Sequence, residues 1–436
     1  MSVNSSEEKS FYRFLQNSKV TEAAIIKQTA DECLNLVADK RVIVIADTST
    51  FTLTDTKNRI KDTSGLIQVA WNGYINYHGL ELHTNVVYDR DTRTALGVSH
   101  SSFVKRNKET RGEKGEKTKR NSEYIEQKES YRWIEGFKQS IQVLNKAEHI
   151  TLIADRECDM IEALDRLPDD KVDLVLRSYH NRNVIDESGE QGKLKELIST
   201  SAVVGITKLK VKTKKRKKRR ALMETRIASF TIPWGKYKKT KEKNHPEGIK
   251  MYAVEIREKT HKGYKNEPPL VWLLLTTIEV TNMEEAREVV SLYERRWLIE
   301  EFFKLLKTDC YNIENTELTR GKSIRKLLLL TMKAAIKIQQ LKAARDGTTK
   351  NKIDLTFTQD EIECLIKINK SLEGNTVKQQ NPHSKDDLAY AAWIIARLGG
   401  WKEFYNKKRP PGNKTFVSGL QRFEAIHFGY KIKDVS

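Results

Sequence analysis

The chain has 436 residues, 38% of them hydrophobic and 32% charged, which is enough apolar content for two or three packed domains. Lysine and arginine number 79 against 59 acidic residues. The resulting formal charge of +20 favours a polyanionic partner, because cationic contacts to phosphates release condensed counterions. Four scattered cysteines (Cys33, Cys158, Cys310, Cys364) without a C-x2-C pair argue against a zinc knuckle and a disulfide framework. The start, MSVNSSEEKSFYRF, is polar and acidic, unlike a signal peptide, and runs such as Val271 to Leu275 are too short to span a bilayer. The expectation is a soluble, cytoplasmic protein with no membrane partner.

In chain order, residues 8–38 read as helical, with Phe14, Leu15, Ala23, Ile26 and Leu34 as candidate core positions. RVIVIAD (41–47) is a short β-branched run that predicts a fully buried strand. Residues 65–104 alternate and contain Gly73, Gly79 and Gly97, which predicts strands joined by turns. The polar, charged stretch 105–122 predicts a mobile loop, and a helix over 123–146 then leads into a second buried strand, HITLIAD (149–155). DMIEALDRL has the pattern of the helix that follows.

From 172 to 280 the character changes. Strand-like segments succeed one another: DLVLRS, SAVVGITKLKV, ALMETRIASFTI, MYAVEIRE and LVWLLLTT. Between two of them lies KLKVKTKKRKKRR (208–220), with ten basic residues in thirteen. Such a run serves as a DNA contact, as a flexible hairpin tip or as a localisation-like tract. An apolar helix is predicted over 323–345, a polar separator over 346–386, and a last helical block at DDLAYAAWIIARLGGW before a basic tail.

The most telling run is YERRWLIEEFFKLLK, with the spacing Y-x2-R-x3-E-x6-K over Tyr293, Arg296, Glu300 and Lys307. On one helix, Arg296, Glu300 and Lys307 lie roughly 60°, 20° and 40° to the same side of Tyr293. Lys304 falls on that stripe too, while Leu298, Ile299, Phe302, Leu305 and Leu306 form the opposite, core face. A carboxylate among cations can ligate a hard metal while its neighbours grip phosphate. The same stripe also arises as a solvated face with i,i+4 charge pairs.

Asp47 and Asp155 share a context, VIVIAD and ITLIAD, in which an apolar strand ends in aspartate. Ligands collect at the C-terminal ends of strands in open α/β sheets, although such an aspartate often only caps a helix or turn. Two of them with Glu300 make a more specific set. Three carboxylates can hold two Mg2+ ions about 3.5–4 Å apart, the arrangement that stabilises in-line phosphoryl transfer.

At these residues the chain resembles the bacterial insertion-sequence transposases of the DDE class. The Asp…Asp…Glu order, the Y-R-E-K spacing and the DRE that opens at Asp155 carry the likeness. Further matching segments run from FYRFLQNSKVTEAAI through IADTST, IADRECD and WLLLTT to AAWIIARLGGW, nearly the whole chain. Within the class the likeness is to cut-and-paste enzymes of the transposon Tn-five type. It implies an α/β fold: an RNase H-like catalytic core with a β-rich insertion and a helical C-terminal region. Its parts would be an N-terminal helical segment (1–40), the core (41–171 and 281–345), the insertion (172–280) and a dimerisation region (346–436).

The resemblance further implies that Asp47, Asp155 and Glu300 ligate two Mg2+ ions, with Mn2+ as a substitute. Tyr293, Arg296, Lys304 and Lys307 would hold the backbone of the transposon end, and Trp272 would stack on a base flipped out during hairpin formation. Partners would be transposon-end and target DNA and a second copy of the chain in a synaptic homodimer, at the bacterial nucleoid. In this family a DNA-recognition domain precedes the segment that begins here with FYRF, so the chain is expected to be short at that end. That leaves a shortened, inhibitory relative as one rival reading and another RNase H-like nuclease as a second.

Overall fold

The computed structural model describes residues 5–55, 59–71, 76–104, 124–211, 219–234, 244–245, 247–259, 268–402 and 410–433. The loop expected over 105–122, Gly73, and the centre of the basic run, 212–218, lie outside them.

The first helical stretch is two helices, α1 (Ser5–Gln16) and α2 (Glu22–Leu34). The break follows from Thr21, which takes an extended conformation and caps α2 by accepting the Ala24 N–H at 3.1 Å. Restarting the helix also resets its phase. Of the five positions read as core only Leu15 is fully enclosed, whereas Phe14 is 43% exposed and Ala23 faces solvent. On α2 the inward face is Ile25, Ala30 and Cys33.

A twelve-stranded sheet organises the described residues. Its first part is β1 (Arg41–Thr52), β2 (Ile67–Trp71), β3 (Asn76–Asp89) and β4 (Ala95–Phe103). After α3 (Tyr131–Val143) come β5 (His149–Ala154), α4 (Ile161–Arg166) and β6 (Val172–Arg177). β3 runs antiparallel to β1, β4 antiparallel to β3, and β5 and β6 continue on the other side in parallel. The order is therefore β4-β3-β1-β5-β6.

The sheet continues through β7 (Asn183–Asp186), β8 (Gln191–Lys193), β9 (Val203–Val211), β10 (Arg219–Ile232), β11 (Ile249–Glu258) and β12 (Val271–Thr276), with α5 (Leu194–Thr200) between β8 and β9. β12 lies antiparallel against β6, and β11, β10, β7 and β8 follow outward. Five of the expected strand segments in 172–280 are thus strands of one sheet with the core strands.

Side chains alternate along each strand, so the apolar runs of β1, β5, β6 and β12 serve two cores at once. Ile43, Ile45, Ile153, Val175 and Leu274 face one layer of helices. That layer holds α6 (Met283–Glu294), α7 (Trp297–Lys304) and α8 (Gly321–Ala344), which contribute Leu292, Ile299, Phe302 and Leu328. Val44, Ala46, Leu152, Leu174 and Leu275 face the other way, onto Trp133 and Phe137 of α3 and Ile161 of α4. The expected core residues Ile299, Phe302, Leu305 and Leu306 are all fully buried, and Leu298 is half-buried.

The C-terminal part is helical: α9 (Gln359–Leu372), α10 (Leu388–Leu398) and α11 (Asn413–Lys433). α9 falls in the stretch read as a polar separator, and α11 in the basic tail. Thr358 and Glu361 form a capping box at the start of α9, and Ile362, Leu365 and Ile368 bury its inner face. Among the described residues no helix is long and apolar enough to cross a membrane. Thr358→Ala removes the cap and should cost about 1 kcal/mol, with faster amide exchange confined to the first turn of α9. Exchange that rises equally across α8 and α10 would mean the cap is not what defines this helix.

Candidate active site

Strand register brings the two aspartates together. β1 and β5 pair in parallel with Ile45 opposite Ile153, so two residues further on each chain Asp47 and Asp155 come level, on strands about 4.8 Å apart. Alternation then fixes the face: Asp47 follows Ile43 and Ile45, and Asp155 follows Ile153, all toward α6 and α7. Each aspartate uses one oxygen in the same way. Asp47 Oδ1 accepts the Thr48 N–H and Asp155 Oδ1 accepts the Arg156 N–H, both at 2.7 Å.

One expectation needs correcting. Asp155 does follow the last residue of its strand, but Asp47 sits in mid-strand, opposite Thr84 of β3. The β-branched run after it, TSTFT, continues pairing with β3 and buries Phe51, so β1 extends to Thr52.

The Y-R-E-K residues do not ride on one regular helix either. Tyr293 is the penultimate residue of α6, a tight turn follows, and Arg296 precedes α7. In that turn the Arg296 and Ile299 N–H groups bond carbonyls only three residues back. Downstream, Leu305–Asp309 form a wide π-turn. A tight turn and a wide turn break the 100° count, so the phase used to align Lys307 with Tyr293 does not carry through. Arg296 and Glu300 keep their relation, since α7 joins them directly.

Arg296 is the centre of the site. Its Nη1 donates to Asp47 Oδ2 at 3.2 Å and its Nη2 to Glu300 Oε1. Burial works against its charge, but Tyr293, Asp47, Asp155 and Glu300 outweigh burial and raise its pKa. Burial also pushes the Asp47 carboxyl up to about 6; the Thr48 N–H and Arg296 oppose this, while Asp155 and Glu300 add to it. Burial first, then the Asp155 charge, pushes the Tyr293 hydroxyl up to about 12, against Arg296 and Arg177. Three carboxylates and one phenol thus share a guanidinium that is 15% exposed.

The remaining candidates spread along the same face. Trp272, at the start of β12, is half-buried and meets Tyr293 edge-on, with centroids 5.7 Å apart at 74°. Lys307 is half-buried, its Nζ 5.2 Å from the centre of the Phe51 ring. Burial lowers its pKa, and Glu314 counteracts that. Phe51 is four residues beyond Asp47, so Lys307 stands about 13 Å farther along the same face of β1. Lys304, in the last turn of α7, is exposed.

Arg177 was not singled out from the sequence. It ends β6 opposite Leu274, on the same face as Val175, and its charge acts on Tyr293. Asp47, Asp155 and Arg177 are therefore level in a row on three adjoining strands, with Trp272 on the fourth two residues off that line, and Tyr293, Arg296 and Glu300 cover them. The signal was present as DLVLRS, an apolar strand ending in a charge like the other two.

A family model described as the transposase DDE domain matches residues 38–336. The match spans well over half of the chain, from just before β1 into α8, and includes the whole row. The chain belongs to this family, and its function is that of a transposase.

The charge balance at Asp47 has a measurable consequence. An aspartate whose folded pKa lies above its unfolded value contributes stability at low pH, and that contribution is lost as pH rises through the folded pKa, here about 6. In chelator at pH above 7, Asp47→Asn should therefore be more stable than the wild type by about 1–3 kcal/mol. The gain should vanish below about pH 4, where both states of the wild type are protonated. A variant less stable at every pH would show that Arg296 outweighs burial at this carboxyl.

Proposed function

We propose that this transposase works by metal-dependent cleavage and strand transfer at transposon ends, by a cut-and-paste route with a hairpin intermediate, as in enzymes of the Tn-five type. The observation that carries the reading is the gathering of Asp47, Asp155 and Glu300 around Arg296 at one place on the sheet. These carboxylates come from far-separated segments, and burial, with smaller contributions from Asp155 and Glu300, raises the pKa of Asp47.

The donor set suits hard divalent cations, being all carboxylate oxygen. Among the described residues no group of three His, Cys, Asp or Glu side chains is arranged to hold an ion as it stands. Arg296 engages one oxygen each of Asp47 and Glu300, and in this reading it would release them as two Mg2+ (or Mn2+) ions bind. Bound there, the ions would activate the attacking oxygen and stabilise the leaving one. Released, Arg296 would be free to fork onto a phosphate beside Tyr293. Lys304 and Lys307 continue this cationic track away from Asp47 and would hold the end by its backbone.

The strand order β4-β3-β1-β5-β6, with one antiparallel strand beside β1, supports an RNase H-like core. β7–β11 then form the β-rich insertion, and α9–α11 the region for a synaptic homodimer. Trp272 lines a cavity of about 360 Å3 with Thr207, Met223, Ile256, Met283 and Val290. An aromatic wall beside an open, largely apolar space suits a base unstacked from a bent end. The substrate class is DNA, consistent with the charge of +20 and with action at the bacterial nucleoid.

A plasmid carrying the gene with its flanking DNA tests this. Wild-type protein should cut at the element boundaries in Mg2+ and stop in excess chelator. Asp155→Asn should lower cleavage at least about 100-fold while retaining DNA binding, since it removes a metal ligand and a repulsive charge together. Undiminished cutting by that variant would remove Asp155 from the machinery.

A further inference from the structure

Beyond β6 the chain makes a short loop, Ser178–Arg182, in which every residue is anchored. The Ser178 N–H donates to the Leu273 carbonyl of β12 at 2.8 Å. The N–H groups of Tyr179 and His180 both donate to Asp159 Oδ2, at 2.6 and 2.9 Å. Asn181 Oδ1 accepts the Lys195 N–H at the start of α5 at 2.9 Å. The Arg182 guanidinium donates to the Asp159 carbonyl oxygen at 2.7 Å and to its Oδ1. The Asp159 side chain is fully buried, and that of Arg182 is 10% exposed.

This clamp holds an aromatic ring in water. Tyr179 is 60% exposed, with the exposed His180 ring edge-on to it, centroids 5.0 Å apart at 83°. A lone exposed tyrosine on an unconstrained loop needs no explanation. Here a buried Asp–Arg pair, costly to desolvate, fixes the backbone of the ring itself. A ring held in place loses little entropy on binding a partner.

We propose that Tyr179, backed by His180, is a stacking platform for an unpaired base of a DNA strand that passes over the carboxylate row. The position supports this. Ala154 is opposite Leu176, so Asp155 and Arg177 are level, and Tyr179 is two residues past Arg177. Arg177 and the exposed Arg156 flank the approach with positive charge. A duplex offers base edges and phosphates at its surface, whereas an unpaired base offers the face that a fixed ring stacks on. The inference rests on the transposase reading only in taking the polymer to be DNA.

The test uses the full chain in chelator, so cleavage plays no part. Binding of a single-stranded oligonucleotide carrying 2-aminopurine is compared with binding of the matching duplex. Tyr179→Ala should weaken single-strand binding about 5- to 100-fold, while Tyr179→Phe stays within about twofold and duplex binding barely changes. The 2-aminopurine fluorescence should be quenched by wild type and Tyr179→Phe and spared by Tyr179→Ala. Unchanged single-strand binding by Tyr179→Ala, or equal weakening for both DNAs, would overturn the platform. So would altered self-association of Tyr179→Ala with normal DNA binding, which would give the ring to a protein interface. Asp155→Asn should bind the single strand at least as well as wild type, which separates this outcome from failure of the catalytic assignment.

Discussion

The guanidinium of Arg296 is the counter-charge on which the site depends. Three carboxylates drawn from three elements would repel one another in a half-buried setting, and burial first, then Asp155 and Glu300, push the Asp47 carboxyl up to about 6. Removing Arg296 would leave Asp47 and Glu300 without their charged partner, the costly half of any broken buried pair. The pairing also sets the order of events in the proposed chemistry. In that proposal the guanidinium that bridges Asp47 and Glu300 would leave them as metal binds, and a phosphate lies within its chemical competence as the next partner.

The sheet does the rest of the positioning. One parallel register puts Asp47 beside Asp155, and the same two-residue alternation turns both toward α6 and α7. β6 and β12 extend the arrangement with Arg177 and Trp272, so a carboxylate cluster, a cation and an aromatic follow one another across neighbouring strands. The tight turn at Arg296 and the π-turn at Leu305–Asp309 bracket α7 and decide which of its residues look down on the row.

Much of this was legible in the residues. VIVIAD and HITLIAD read correctly as buried strands because β-branched runs of that length have few alternatives. The apolar face of α7 was legible because Ile299 and Phe302 keep helical spacing. The misses have specific causes. Asp47 was placed at a strand end because the apolar run stops there, whereas the β-branched TSTFT beyond it stays extended by pairing with β3. α9 was hidden by the charged residues on its outer face, although the T-x-x-E box at Thr358 and Glu361 announced it. Lys307 was aligned by assuming an unbroken helix, which no local signal contradicted. Arg177 and Tyr179 gain meaning only from register and from the buried Asp159, both of which are tertiary.

The central proposal is that Asp47, Asp155 and Glu300 form one cation site, from which Arg296 would turn away as metal binds. Diffraction from crystals soaked in Mn2+, read by anomalous scattering, tests it most directly. The account predicts manganese between these three carboxylates, with the Arg296 guanidinium turned away from Asp47 and Glu300. Manganese bound elsewhere, or an Arg296 that still bridges Asp47 and Glu300 at saturating Mn2+, would contradict it.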